Sequence, residues 1–278
     1  MDIDISLSPR LSLGISDSAA REGAYPTARL QKGWLLKSGG VDLAEEAVGF
    51  GVPVLKQGLR TVFPGDVEIQ LVRGGPRWLV TADYEMNLVE KIGRRGKRSI
   101  GSGVLYDAKN MLAAHMMAHP AARGPLTAVS SGLRRLFGWE TTYEDAGISA
   151  RVRMRYEFDQ HARLLKIDAD LGQTASQGLT EVIIMNEQGA RHFDRYWDSG
   201  GTQLSGKETG FWDEVKAHDA TFASSTKRTA FTVHQVPGAR LFRGRELIGS
   251  RLAWVGFGHS YPPSMRTFGC TVKIEGDS

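Results

Sequence analysis

The sequence predicts a mainly β protein: a large antiparallel β-sandwich of two packed sheets, interrupted by a short helical insertion. Three observations lead there. About sixteen short segments carry the two-residue alternation of strands, most of them separated by hairpin-length turns. Glycine is abundant, at 33 residues against 10 prolines, and falls in short groups that suit tight turns. The stretch Arg151–Leu171 reads as a complete hairpin. Many short antiparallel strands bury their apolar faces most simply as two sheets face to face. A closed barrel is the alternative arrangement.

From the N-terminus, Ile3, Ile5 and Leu7, then Leu11, Leu13 and Ile15, alternate on either side of Ser8-Pro9. Residues 16–29 are small and polar without a period, and read as a loop. Gly33–Leu36 opens a further strand that Ser38-Gly39-Gly40 closes. The acidic stretch with Asp42, Glu45 and Glu46 reads as a surface turn. Gln57-Gly58 reads as a hairpin turn between Val52–Leu55 and Arg60–Phe63, and Pro64-Gly65-Asp66 as a second turn before the alternating Val67–Leu71. A long strand starts at Arg77, with Trp78, Val80, Ala82, Tyr84, Met86 and Leu88 on one face. The run Lys91–Arg98 holds five basic residues in eight and reads as a solvated hairpin tip.

Residues 107–137 change character. Asp107 can cap a helix with Leu112, His115, Met116 and His119 on one side. Pro125 can open a second with Leu126, Val129, Leu133 and Leu136 in a stripe. The chain from 1 to 278 is therefore expected to form one sandwich domain with a helical insertion at about 107–137.

In the hairpin, Val152, Met154, Tyr156 and Phe158 alternate with Arg151, Arg153, Arg155 and Glu157. With Gln160-His161 as the loop, Val152 faces Ala169, Met154 faces Ile167 and Tyr156 faces Leu165. Arg151 then meets Asp170, and Arg153 meets Asp168. A one-residue slip would drive the charges into the core, so both faces specify the register. Beyond it, strands are expected over Val182–Met185 and Arg191–Tyr196 around an Asn186–Gly189 turn. Others follow over Thr229–Gln235 and Arg240–Arg243 around Pro237-Gly238, and then over Arg251–Phe257 and Thr267–Glu275.

Composition narrows the function classes. The single cysteine, Cys270, excludes an intramolecular disulfide and a cysteine-rich zinc site, and its setting is that of a buried strand residue. A formal net charge of +4 gives no case for nucleic acid. No apolar run approaches the ~20 residues a spanning helix needs, and the start lacks the basic, then apolar, pattern of a secretory signal. A cytoplasmic location and no membrane partner are expected. There is no Walker loop, no Gly-rich dinucleotide turn and no Gly-x-Ser-x-Gly elbow, so no cofactor is expected. His115 and His119 have helical ligand spacing, but Met116 stands where a zinc protease has glutamate and no third ligand is evident, so no metal is expected either.

Two stretches mix aromatic and polar groups. In RHFDRYWDSGG (191–201), a strand would put His192, Asp194 and Tyr196 on one face and Phe193, Arg195 and Trp197 on the other. In WVGFGHSYPP (254–263), His259 and Tyr261 share a side, while Gly256 and Gly258 permit close backbone approach. Flat aromatic faces beside carboxylate, arginine and imidazole suit a sugar or acidic glycan. Equally, each stretch serves as an ordinary strand end. The leading expectation is a carbohydrate-handling protein that binds a sugar or acidic glycan and, if it is an enzyme, uses His192, His259 and Tyr261 as catalytic groups of a sugar epimerase, mutarotase-like enzyme or lyase. Asp194, Arg195, Tyr196 and Trp197 would then hold the substrate. In size and strand count the chain resembles the large sandwiches of sugar epimerases, polysaccharide lyases and carbohydrate-binding modules, a likeness of fold only. Two other readings are a lipocalin-like or paired-barrel protein, with Trp78, Tyr84, Tyr156 and Trp254 lining an apolar cavity, and a non-catalytic polyanion-binding domain using Arg94, Arg95, Lys97 and Arg98.

Overall fold

A computed structural model describes residues 1–17, 30–58, 60–94, 139–172, 178–209, 212–248, 251–265 and 267–276, with isolated positions between 111 and 136. Alternating burial along the early segments produces β1 (Asp2–Ser6), β2 (Leu11–Ser16), β3 (Leu35–Ser38) and β4 (Val41–Asp42), which form a four-stranded antiparallel sheet in that order. The remaining strands are β5 (Phe50–Gln57), β6 (Arg60–Arg73), β7 (Arg77–Arg94), β8 (Trp139–Asp159), β9 (Leu164–Asp170), β10 (Glu181–Gly189) and β11 (Arg195–Asp198). They continue with β12 (Gln203–Ser205), β13 (Asp213–Val215), β14 (Asp219–Ala223), β15 (Thr229–His234), β16 (Arg240–Ile248), β17 (Arg251–Tyr261) and β18 (Thr267–Gly276).

The fold class is the one expected, but the layers are unequal. One antiparallel sheet of fourteen strands has the order β12-β11-β14-β15-β18-β9-β8-β7-β6-β5-β10-β17-β16-β13. A sheet this wide and twisted curls. Here it folds back so that β10, β17 and β16 lie over β18, β15, β14 and β11. Rings meet across the gap: Phe222 and Phe257 at 4.8 Å, Phe231 and Phe50 at 5.1 Å, Tyr196 and Phe257 at 6.3 Å. The four-stranded sheet joins the same core through Ile3, Ile5, Leu11, Leu13, Ile15 and Leu36. Among the described residues no helix is long and apolar enough to cross a membrane.

The central hairpin keeps both predicted faces but shifts by two residues. Tyr156 pairs with Ile167, Met154 with Ala169, Arg153 with Asp170 and Arg155 with Asp168. The loop has four residues, not two. The Asp159 carboxylate accepts from the backbone N–H of His161 and Ala162, and Arg163 takes φ +53° to close the turn. A two-residue loop favours glycine or asparagine at positive φ, and this sequence has neither there. An even shift keeps every side chain on its own face. Arg153 instead grips Asp83 of β7 with two bonds, of 2.7 and 2.9 Å.

Three turn expectations are corrected. Pro64-Gly65-Asp66 is a bulge inside one continuous β6, because proline breaks the ladder without ending the strand and the Asn87 side chain fills the space beside Gly65. Asn186, Glu187 and Gln188 are strand, not turn, and are buried. Their polarity is used inside: Asn186 accepts from Gly51 N–H, while Gln188 accepts from Leu36 N–H and donates to the Trp34 carbonyl. Pro237-Gly238 does not join a hairpin, since β15 pairs with β14 and β18 while β16 pairs with β17 and β13. That link carries the chain from one arm of the folded sheet to the other. Glu46, expected in a surface turn, is buried as well. The helical pair at about 107–137 lies mostly outside the described residues. Within it stand one backbone bond from His119 N–H to the His115 carbonyl and a 3₁₀ turn at Pro120–Ala122.

Tyr84 and Tyr156 fill the core, their hydroxyls 2.8 Å apart and bonded to the Lys32 and Gly51 carbonyls. Trp78 borders that main core, whereas Trp254 packs on a separate group of Leu35, Ala44 and Ala47. The four aromatics of the apolar-ligand reading therefore surround no common cavity. Of the basic loop, residues 95–98 lie outside the described set.

Candidate functional site

The ribbon β12–β11–β14–β15 presents two chemically different faces, because alternate residues on a strand point opposite ways. The registers are Trp197↔Thr221 and Tyr196↔Phe222 between β11 and β14, and Trp197↔Gln203 between β11 and β12. Between β14 and β15 they are Thr221↔Thr232, Phe222↔Phe231 and Asp219↔His234. Tyr196, Asp198, Phe222 and Phe231 therefore face the opposite arm. Arg195, Trp197, Gln203, Thr221, Thr232, Asp219 and His234 share the outer face.

The inner face is closed by a polar knot. The Tyr196 hydroxyl donates to Asp198 Oδ2 at 2.7 Å and accepts from Arg243 Nη1 at 3.3 Å. The Arg243 guanidinium, from β16 of the other arm, lies 4.6 Å from the Tyr196 ring centre and bonds the Thr209 carbonyl. Asp198 Oδ1 accepts from Gly200 and Thr202 N–H, each at 3.0 Å. Burial pushes the Asp198 carboxyl upward, but the bonds from Tyr196, Thr202 and Gly200 outweigh it and hold the group below its ordinary value. Tyr196 is pushed up by burial and by its bond to that carboxylate. The knot thus clamps β11 to β16.

The outer face is open. Trp197 is 40% exposed, the one aromatic ring among the exposed large apolar side chains of the described residues. Beside it a shallow depression of about 440 Å³ is lined by Arg195, Tyr196, Trp197, Gln203, Leu204, Ser205 and Glu208. Glu208 accepts from the Ser205 hydroxyl at 2.9 Å, a bond that lowers its pKa. Thr221 and Thr232 share a hydroxyl–hydroxyl bond of 2.8 Å on the neighbouring strands. A larger depression of about 530 Å³, between Arg73, Pro76, Arg77, Asp159 and His161, offers no aromatic face. Its Arg77 and Asp159 are already paired at 3.3 Å.

At the end of the same outer face stand His218, Asp219 and His234. Both imidazole Nδ1 atoms lie 2.6 Å from Asp219 Oδ1. The bond with His234 is the main cause that holds the Asp219 carboxyl below its usual range; burial opposes it and His218 adds to it.

The predicted site residues divide accordingly. Arg195 and Trp197 come together on the exposed face. Tyr196 is their neighbour in sequence but belongs to the inner knot. Asp194 accepts from Ser225 N–H and hydroxyl at 2.9 and 2.7 Å and so ties β11 to the turn after β14. His192 sits in the turn after β10, its Nε2 3.6 Å from Glu45 Oε1. His259 is fully buried; its Nε2–H donates to the His234 carbonyl at 2.9 Å, and its Nδ1 finds no hydrogen-bond partner among the described residues. Burial lowers its pKa to about 4. Tyr261 is buried too, and its hydroxyl donates to the Gly269 carbonyl. The catalytic grouping of His192, His259 and Tyr261 is therefore not assembled: two members are core residues on β17, and the third is fixed to a different loop. Gly256 does what its freedom suggested, since a Cβ there would lie 2.4 Å from the Asn186 carbonyl oxygen. It serves strand packing, not a ligand. Cys270 is buried, which raises its pKa to about 12.

Sequence reasoning missed Gln203, His218, Asp219 and His234. The His218-Asp219 pair at a strand entry was the one visible signal.

No protein-family model matches the chain, and no curated protein matches it by sequence. Among solved structures it resembles the α-N-acetylgalactosaminidase of Bifidobacterium bifidum. In that enzyme's GalNAc complex the TM-score is 0.52 at 8% identity, covering 99% of this chain and 36% of the enzyme. In its Gal-NHAc-DNJ complex the TM-score is 0.52 at 9% identity over the same shares. The chain thus spans about a third of that enzyme's length. A galactose mutarotase-like protein from Clostridium acetobutylicum aligns over 100% of this chain and 99% of its own, at 8% identity and a TM-score of 0.38, too low to carry an argument. The likeness to the galactosaminidase is one of fold.

Proposed function

We propose that the protein handles carbohydrate, binding a sugar or an acidic glycan on the outer face of β12–β11–β14–β15. Trp197 carries this reading: it stands exposed on a firm sheet, with hydrogen-bonding side chains around it and a shallow trough beside it. A pyranose has an apolar C–H face that stacks on indole and a rim of hydroxyls that needs donors and acceptors. Gln203, Ser205, Glu208 and Arg195 supply them, and the Arg195 guanidinium suits a uronate carboxylate. Support from outside the chain is the fold it shares with part of an enzyme solved with GalNAc bound.

The reading is of binding, without the epimerase or lyase step. Such a step needs a base that reaches substrate; His259 and Tyr261 are shut in the core, and His192 stands in the turn after β10, apart from the outer face. Thermal unfolding with neutral sugars, amino sugars and uronic acids tests it. A ligand at 100 times its Kd adds about 2.7 kcal/mol of stability. A rise in Tm with one sugar class, lost in Trp197→Ala, is expected. No rise with any of them overturns the assignment.

A further inference from the structure

We propose that His218, Asp219 and His234 form a binding site for a divalent transition-metal ion of the zinc, nickel or copper class. The site stands on its own observations, independent of the glycan reading.

Pairing between strands builds it. Asp219 and His234 are directly opposed on β14 and β15, so their side chains leave the same face of the sheet. His218 precedes the strand, and its carbonyl accepts from Gln235 N–H at 2.7 Å, which holds it beside the end of β15. Asp219 is fixed at both backbone groups: its N–H donates to the Ser199 hydroxyl, and its carbonyl accepts from Ser199 N–H. Behind the sheet, His259 holds the His234 carbonyl. The three backbones are therefore anchored before any ion arrives, as a preorganised site requires.

The donor atoms converge. One ligand atom from each residue lies within 4.8 Å of the others. Both histidines turn the same ring atom, Nδ1, to one carboxylate oxygen at 2.6 Å, shorter than an ordinary N–H···O bond of about 2.9 Å. An ion held at about 2.0–2.2 Å from each donor needs only a small outward rotation of the rings.

Donor chemistry selects the ion. Two imidazole nitrogens and one carboxylate oxygen suit borderline transition metals and are a poor match for calcium or magnesium, which want oxygen. Three protein ligands leave positions open, and the face is exposed, so water or a ligand oxygen completes the shell. The site needs no cysteine and no helical spacing, which is why the sequence did not display it.

Calorimetric titration of the full chain with zinc, nickel, magnesium and calcium salts tests this, with cobalt as a spectroscopic probe. One equivalent of zinc or nickel should bind with micromolar affinity, magnesium and calcium should not, and cobalt should give visible absorption bands of nitrogen–oxygen coordination. Asp219→Asn, His218→Ala and His234→Ala should each weaken zinc at least ~10-fold with Tm little changed, since all three side chains are partly or largely exposed. The double variant His115→Ala/His119→Ala, and Trp197→Ala, should bind zinc like the parent chain. Absence of saturable binding, unchanged affinity in His234→Ala, or loss of the site in the His115/His119 variant would each overturn the proposal.

Discussion

The two faces of β11 have opposite chemistry. Inward, Tyr196 packs against Phe222, Phe257 and Arg243, and its hydroxyl and the Asp198 carboxylate are bonded to protein. Outward, Arg195 and Trp197 meet solvent, with the His218–Asp219–His234 group at the end of the same surface. Four consecutive residues thus serve two purposes, and the period of the strand assigns them. The contrast shows that rich chemistry in a short stretch is no sign of one site. Half of it holds the arms of the sheet together, and half faces solvent.

Perturbing the inner face should give the largest effects. Phe222→Ala removes a ring packed against three others and should cost about 3–5 kcal/mol in denaturant unfolding. Asp198→Ala should cost about 3 kcal/mol, since it removes the acceptor of the Thr202 N–H and the Tyr196 hydroxyl and leaves the Arg243 guanidinium without its carboxylate near the core. A loss under 1 kcal/mol in Asp198→Ala would remove the clamp from this account.

Burial makes His259 the source of a pH dependence. Its folded pKa near 4 lies below the unfolded value of 6.5. Between those values the unfolded chain binds the additional proton, so stability rises with pH across the window and is lost as pH falls from 6.5 towards 4. A separation of that size corresponds to about 3 kcal/mol. His259→Gln should flatten the stability profile in that window relative to the parent chain. Parallel profiles would show that His259 does not carry the titration.

Much of the fold was legible from residue order. Period-two burial in β1, β2, β7, β8 and β9 marked both faces, and the alternating charges of β8 kept them right even though the register moved by two. What escaped had non-local causes. Asn186–Gln188 looks like a turn because its amides are polar, yet those amides bind backbone of β3 and β5, far away in sequence. Nothing local told Tyr196 from Trp197 as the inward ring, because a four-residue strand carries too little pattern to say which face is dry. His234 reaches Asp219 only through β14–β15 pairing, which no spacing rule encodes.

The smallest expected change in stability belongs to Trp197→Ala, about 1 kcal/mol or less, because the ring is already part exposed. Trp197→Ala therefore separates ligand binding by the outward face from folding. The measurement is binding of the parent chain and of Trp197→Ala, side by side, to an array of neutral, amino-sugar and uronate-containing glycans. The account predicts that the parent chain retains a defined glycan class and that the variant, folded with a near-parental Tm, loses at least ~10-fold in affinity, as the removal of one stacking ring implies. Equal retention by both proteins, or none by the parent chain, would contradict it.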